Sequence, residues 1–265
     1  MGFFDTSRPL VFAHRGGCAL GPENTMYAFD RGIAAGADGL ELDVRLSRDG
    51  VVVIHHDPTL ERVTNATGPL AALTAAELAR VDAAHTFETD GRHSLRGQGI
   101  GIPTLAEVFR RHPDTRVIVE MKDDTPAMGE AVAQEIRKAD AIERVCAAGY
   151  GTLSMDALRA ALPDLATGAT QAEARTALFR SWLHWPVRHV AYQGFQAPEK
   201  VGKLTVVSQR FIRHAHRASL KVQVWTVDEE PDMIRLLDWG VDGLISNRPD
   251  LAVEVRDRWV GSRRV

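Results

Sequence analysis

Several short clusters in this chain carry side chains able to do chemistry. In Ala13-His14-Arg15-Gly16-Gly17 an imidazole stands beside a guanidinium. Arg offers a planar fork of donors to phosphoryl oxygens and His exchanges a proton near neutral pH, so the pair suits phosphate chemistry. Pro22-Glu23-Asn24-Thr25 follows, where Asn24 or Thr25 would cap a helix in any protein. Glu41-Leu42-Asp43 places two carboxylates two residues apart. On a strand such residues share a face, so both point one way while Leu40, Leu42 and Val44 point the other. Glu120-Met121-Lys122 repeats the arrangement with a carboxylate and an ammonium. Inward carboxylates need compensating charge, and a hard cation such as Mg²⁺ or Ca²⁺, which prefers oxygen ligands, supplies it. The alternative is a buried salt-bridge network of Glu41, Asp43, Arg15 and Lys122, which costs desolvation without doing chemistry; three inward carboxylates at strand ends favour the metal. In His55-His56-Asp57-Pro58 alternation sets the two histidines on opposite sides of their strand, so at most one faces the site, and periodicity does not say which.

These clusters need strands to present them. β-rich runs at Leu10 to His14, Gly39 to Val44, Thr115 to Met121, Arg144 to Ala148, Leu165 to Ala169, His189 to Gln193, Lys221 to Val227 and Gly243 to Ser246 alternate with helix-period segments near 25–36, 104–111, 126–139, 154–162, 171–182, 208–218, 229–238 and 249–259. That alternation is the signature of parallel βαβ units. Eight strands and eight helices imply an α/β fold, a closed (β/α)8 TIM barrel; an open doubly wound sheet would carry a G-x-G-x-x-G turn after its first strand, which is missing. Asp49-Gly50 predicts a tight turn returning Val51 to His56 antiparallel to the second strand. Residues 57–102 then form a small insertion after strand 2, expected over the C-terminal mouth where this fold builds its active sites.

The 265 residues, 45% hydrophobic and 25% charged, suit one barrel domain spanning 1–265. A net charge of −3 argues against nucleic acid as a partner. No run of about 18 apolar residues predicts a membrane span. The N-terminus reads as lacking a secretory signal, and Cys18 and Cys146 follow no metal spacing, so they are expected to be reduced thiols in a cytoplasmic protein.

In order along the chain stand H-R-G (His14 to Gly16), P-E-N-T (Pro22 to Thr25), E-x-D (Glu41 to Asp43), D-G (Asp49-Gly50), H-D (His56-Asp57), E-x-K (Glu120 to Lys122), W-T-V (Trp225 to Val227) and G-V-D-G (Gly240 to Gly243). The sequence thereby resembles the glycerophosphodiester phosphodiesterases, TIM-barrel hydrolases, over residues ~10 to 250. The resemblance implies metal-dependent hydrolysis of glycerophosphodiesters, such as glycerophosphocholine or glycerophosphoethanolamine, to sn-glycerol 3-phosphate and an alcohol. It selects His56 over His55, and makes His14 and His56 the general acid–base pair. It makes Glu41, Asp43 and Glu120 the ligands of one divalent cation, Mg²⁺ or Ca²⁺, and sets Arg15 and Lys122 on the phosphate. Trp225 becomes the surface against which glycerol packs; barrel core among Val222, Val224 and Val227 is its other reading. Attack by the neighbouring glycerol hydroxyl, giving a cyclic phosphate, and direct attack by water both remain open.

Asn247 departs from the family's more usual Asp, and a weakened local cap or loop contact is the expected consequence. Trp182, Leu183, Trp185 and Pro186 are expected to cover outer helices; at the mouth they would instead meet an acyl chain. The alternative activity is accordingly a lysophospholipase D-like one on lysophospholipids, with transient lipid contact. A metal-independent lyase would not need three carboxylates together, and a non-catalytic binding barrel would not need both histidines.

Overall fold

The structure, a computed structural model, describes residues 2–188 and 190–263. Its strands are β1 (Leu10–His14), β2 (Gly39–Leu46), β3 (Val52–Ile54), β4 (Arg116–Met121), β5 (Val145–Gly149), β6 (Ala166–Thr167), β7 (Gly194–Pro198), β8 (Lys200–Val201), β9 (Leu204–Thr205), β10 (Lys221–Trp225) and β11 (Gly243–Ser246). Eight of them run parallel in the order β6-β5-β4-β2-β1-β11-β10-β7, and a bridge between Gly168 and Gly194 joins the two ends into a nearly closed barrel. β3 turns back antiparallel on β2, pairing Val44 with Ile54, as the Asp49-Gly50 turn predicts.

The helices are α1 (Met26–Ala34), α2 (Ala75–Leu78), α3 (Leu105–Arg111), α4 (Pro126–Lys138), α5 (Thr152–Ala161), α6 (Gln171–Trp182), α7 (Gln209–Arg217), α8 (Glu230–Trp239) and α9 (Pro249–Ser262). Thr25, Thr104, Thr125, Thr170 and Ser208 cap α1, α3, α4, α6 and α7 through their hydroxyls, satisfying amides that the first turn leaves without partners. None of the described helices is long and apolar enough to cross a membrane.

Strand alternation divides the core into layers. Leu40, Leu42, Val44, Val117 and Val119 pack outward against helices, which turns Glu41, Asp43, Ile118 and Glu120 inward. Phe12, Ile118, Cys146 and Ile245 fill the interior together with Phe3. Phe3 stacks on Phe12 at 5.7 Å and its carbonyl accepts from Arg116 Nε at 3.0 Å, so the N-terminal segment plugs the barrel's lower end.

One expectation needs correction. The sixth parallel strand is Gly194–Pro198, not His189 to Gln193; His189 lies outside the described residues. Tyr192 instead packs edge-on to Phe195 in the outer layer, centroids 5.2 Å apart. Gly194 enters the sheet because a Cβ there would press Phe4 at 3.0 Å and the Lys221 carbonyl at 3.1 Å, so tertiary closeness overrides the β-branched pattern of the preceding segment. Residues 57–102 build a small core of their own from Leu60, Leu70, Leu78 and Ile102 against Val53. Trp182, Leu183 and Trp185 lie at and beyond the last turn of α6, about half exposed, with the Trp185 ring edge-on to Phe179 of that helix at 6.4 Å.

Candidate active site

All eight site residues singled out in the sequence line one cavity of about 50 Å³: His14, Arg15, Glu41, Asp43, His56, Glu120, Lys122 and Trp225. It sits at the C-terminal ends of β1, β2, β4 and β10, where the fold gathers functional groups from separate strands. Glu41 and Asp43 come from β2, and register sets Asp43 beside Glu120 of β4. Arg15 is turned back towards them by a left-handed backbone at φ 50°. Gly16 follows at φ 89°, where a Cβ would stand 2.8 Å from Ala28 and Phe29, so only glycine lets this loop lie against α1.

The three carboxylates offer oxygens within 4.8 Å of one another, and their environments differ. Asp43, 1% exposed, meets Lys122 Nζ at 2.9 Å and Arg15 Nε at 3.2 Å and accepts from Asn24 Nδ2 at 2.8 Å. Burial works to raise its pKa, but Lys122, Arg15 and Asn24 prevail and hold it below the usual carboxylate value. Glu41 has no cation of its own: it accepts from the Arg15 amide at 3.0 Å and stands 3.8 Å from His14 Nε2. Burial, followed by the charges of Asp43 and Glu120, pushes its pKa well up. Glu120 is also raised, chiefly by burial, although Lys122 lies 2.5 Å away. One ammonium and one guanidinium therefore leave this acidic cluster short of positive charge, and a hard divalent cation with oxygen ligands fits the deficit.

The two histidines are held differently. Asp228 accepts from the Asn247 amide NH₂ at 2.7 Å, the Asn247 backbone at 2.8 Å and Ser246 Oγ at 3.0 Å. With its NH₂ so engaged, Asn247 presents Oδ1 to His14 Nδ1 at 2.6 Å, so Nδ1 carries the proton and Nε2 is left free for the cavity. Burial lowers the His14 pKa, more than the Asn247 bond raises it. His56 sets Nδ1 against Asp57 Oδ1 at 2.7 Å. Arg62 binds the other Asp57 oxygen and reaches Glu23 at 2.7 and 2.8 Å, and Glu23 in turn accepts from Arg15 at 2.9 Å. Asp57 is held near pKa 2: burial opposes the shift, and the bonds from His56 and Arg62 prevail. His55 is buried elsewhere, with Nε2 on the Thr59 carbonyl at 3.1 Å.

A sequence model of the glycerophosphoryl diester phosphodiesterase family matches residues 14–251. The chain belongs to that family. A glycerophosphodiester phosphodiesterase of Caldanaerobacter subterraneus subsp. tengcongensis is 31% identical over 253 residues, covering 94% of this chain and 98% of the relative. A probable glycerophosphodiester phosphodiesterase of Mycobacterium tuberculosis is 33% identical, covering 96% and 94%. The crystal structure of a glycerophosphodiester phosphodiesterase from Agrobacterium tumefaciens superposes with a TM-score of 0.76 at 25% identity, covering 93% and 99%. An Oleispira antarctica phosphodiesterase, solved in complex with the product sn-glycerol-3-phosphate, gives 0.72 at 23% identity, covering 94% and 97%, and shares the fold. The barrel is thus a glycerophosphodiester phosphodiesterase, a phosphoric diester hydrolase.

Sequence reasoning missed several groups of this phosphodiesterase site. Asn247 does more than cap a loop, since it touches His14 directly. Asp228, which fixes Asn247, gave no signal because the contact spans 19 residues between two strand ends. Asn24 does not cap α1; Thr25 does, while the Asn24 side chain grips both the carboxylate and the backbone amide of Asp43. Tyr150 and Gln196 also line the cavity, carried there by loop and strand ends that no motif marks.

Proposed function

We propose that this phosphodiesterase hydrolyses deacylated glycerophosphodiesters, glycerophosphocholine and glycerophosphoethanolamine among them, to sn-glycerol 3-phosphate and the free alcohol, in a reaction dependent on one divalent cation. The observation that carries the reading is the convergence of three carboxylates, two cations and two histidines on one small cavity. Glu41, Asp43 and Glu120 would hold the cation, Mg²⁺ or Ca²⁺, which when bound supplies charge neutralisation at the phosphodiester. Arg15 keeps a buried Nε without a hydrogen-bond acceptor: its approach to Asp43 is an ion contact whose N–H points elsewhere. That donor and the Lys122 ammonium bind and orient the phosphate oxygens, where charge grows in the transition state. His14, neutral and held by an amide, takes a proton at Nε2 from the attacking hydroxyl. His56, whose Nδ1 faces an ionised carboxylate, delivers one from Nε2 to the leaving alkoxide. Trp225 gives the glycerol carbons an apolar wall.

Release of glycerol 3-phosphate from glycerophosphocholine by chelator-treated protein, with and without Mg²⁺ or Ca²⁺, tests the reading. Cation-dependent release is expected; turnover unchanged by chelator would overturn the metal role.

A further inference from the structure

Charge is spread unevenly along this chain. From Ala174 to Val227 nine Lys and Arg stand against one carboxylate, Glu199, although the whole protein carries −3. Glu199 is taken by Arg235 at 2.8 Å, and of the nine cations only Lys221 has an ion pair among the described residues, with Asp242 at 3.0 Å. Arg210, Arg213 and Arg217, all exposed, recur on α7 at the three- and four-residue spacing that sets them on one side of a helix. Arg175, Phe179 and Trp182 do the same on α6, whose other side packs Ala177 and Leu178 into one core with Phe211 and Ala215 of α7. The two outward stripes therefore lie side by side. Burial lowers the His214 pKa, and Arg217, His184 and Arg180 lower it further, so cations from the ends of both helices share one field. Beyond α6 the chain turns on His184, left-handed at φ 56°. The Trp185 amide then donates to the Arg180 carbonyl at 2.9 Å, and Arg180 Nη1 to the Pro186 carbonyl at 3.0 Å. This clamp holds Phe179, Trp182, Leu183 and Trp185 outward, 43% to 58% exposed, and apolar side chains gathered in one place on a surface mark an interaction site.

We propose that the α6–α7 side of the barrel docks on an anionic lipid surface. Stable attachment to a bilayer takes two signals, apolar insertion and electrostatic attraction, and this face has both. Trp rings settle at headgroup level with the N–H in water and the carbons at the acyl boundary, while unpaired arginines draw the face to negatively charged headgroups. An edge-on aromatic pair beside an aliphatic Leu183 suits a hydrocarbon boundary better than the flat stack that a nucleic acid base needs. A second copy packed face to face would set the same arginines against one another. None of these residues lines the carboxylate pocket, so the docking face is separate from the hydrolytic site.

The test is co-sedimentation with vesicles of phosphatidylglycerol mixed with phosphatidylcholine, against vesicles of phosphatidylcholine alone, at low and high salt. The protein should bind the mixed vesicles, less at high salt, and phosphatidylcholine alone only weakly. Each arginine near the surface is worth about fivefold in affinity, so the triple variant Arg210→Gln, Arg213→Gln, Arg217→Gln should lose about a hundredfold. Trp182→Ser with Trp185→Ser should lose about tenfold or more and keep the salt dependence. Both variants change exposed side chains, and an unaltered melting temperature shows that each is folded. Brominated phosphatidylglycerol should quench tryptophan emission of the unaltered protein, a reading that needs no variant. No sedimentation with phosphatidylglycerol at low salt, or binding that neither folded variant weakens, would overturn the proposal. A short DNA duplex bound as tightly as the vesicles, with the tryptophan variant unaffected on both, would overturn it in favour of nucleic acid. Dimerisation in light scattering that the arginine variant loses, without vesicle binding, would overturn it in favour of a second copy.

Discussion

Asn247 and Asp228 form the part of the site in which structure translates most directly into measurable energies. Replacing Asn247 by Ala removes the acceptor of His14 Nδ1 at 2.6 Å and leaves a buried donor unpaired, a cost of about 1–3 kcal/mol. The imidazole is then free to turn or to change tautomer, and kcat for glycerophosphocholine should fall roughly ten- to a hundredfold on that energy, with KM little altered. Asn247→Asp keeps the acceptor but sets a carboxylate where the amide nitrogen stood, 2.7 Å from Asp228. Two charges about 4 Å apart repel by ~1 kcal/mol in water and ~4 kcal/mol at an effective dielectric near 20. The folded protein should lose stability within that range, with the pKa of one of the paired carboxyls in the variant raised by the like charge beside it.

The sign follows from linkage. A carboxyl whose folded pKa is raised brings no penalty below its unfolded value of about 3.9, and the full penalty above its folded value. The stability gap to the parent should therefore be wider at pH 7.5 than at pH 5. The double variant Asn247→Asp with Asp228→Asn restores every bond with donors and acceptors exchanged: the new amide side chain at position 228 can accept from Ser246 and the backbone N–H at 247, and donate to the new carboxylate at 247. It should recover both melting temperature and kcat. Thermal unfolding at the two pH values, with kcat and KM at saturating cation, reads all three variants. A kcat for Asn247→Ala within twofold of the parent, or a double variant no better than Asn247→Asp, would refute the relay.

Glu41→Ala should abolish cation binding, measured by calorimetry, and turnover with it. His14→Ala should keep cation affinity within a fewfold and lose turnover at least about a hundredfold; a near-normal rate would remove His14 from the mechanism. Asp242 holds β10 by accepting from the Val222 amide at 2.9 Å, besides His216 and Lys221. Burial raises its pKa, but these bonds prevail and lower it, so its contribution is present above the unfolded carboxylate value and lost as pH falls through the folded one. Asp242→Asn should be less stable by about 1–2 kcal/mol at pH 7, with the gap closing as pH falls below the usual carboxylate range in acid titrations followed by circular dichroism. Arg256 is buried and paired with Asp38; Arg256→Ala should lose about 3–5 kcal/mol of stability to chemical denaturant.

What could be read in the sequence was whatever local chemistry dictates. Period-two alternation sent Glu41 and Asp43 inward because Leu40, Leu42 and Val44 had to meet helices, and hydroxyl caps and the Asp49-Gly50 turn follow from neighbouring residues alone. The choice of His56 over His55 came from the family pattern, since alternation treats both alike. Illegible were contacts made by folding distant ends together: Asp228 through Asn247 to His14, and Arg62 through Glu23 to Arg15. The sixth barrel strand failed for a related reason. Gly194 is chosen by the neighbour it must admit, and a glycine ahead of Phe-Gln-Ala-Pro carries no strand signal of its own.

The barrel's closure has an uneven strength. β2 and β4 share six residue pairs in register, whereas β6 is two residues long and meets β7 through one bridge, the Ala169 amide on the Gly194 carbonyl and the Gln193 amide on the Thr167 carbonyl, each at 2.9 Å. The strong side carries the carboxylates, Arg15 and Lys122; the weak seam lies opposite, beside a cavity of about 680 Å³ that Ala169, Gln196 and Pro198 help to line. Opening fluctuations concentrate where hydrogen bonds are fewest. Amide deuteration should therefore reach Ala169 and Gln193 long before Leu42 and Val119, which makes the molecule a vice with one fixed jaw, holding the acidic cluster, and one compliant jaw.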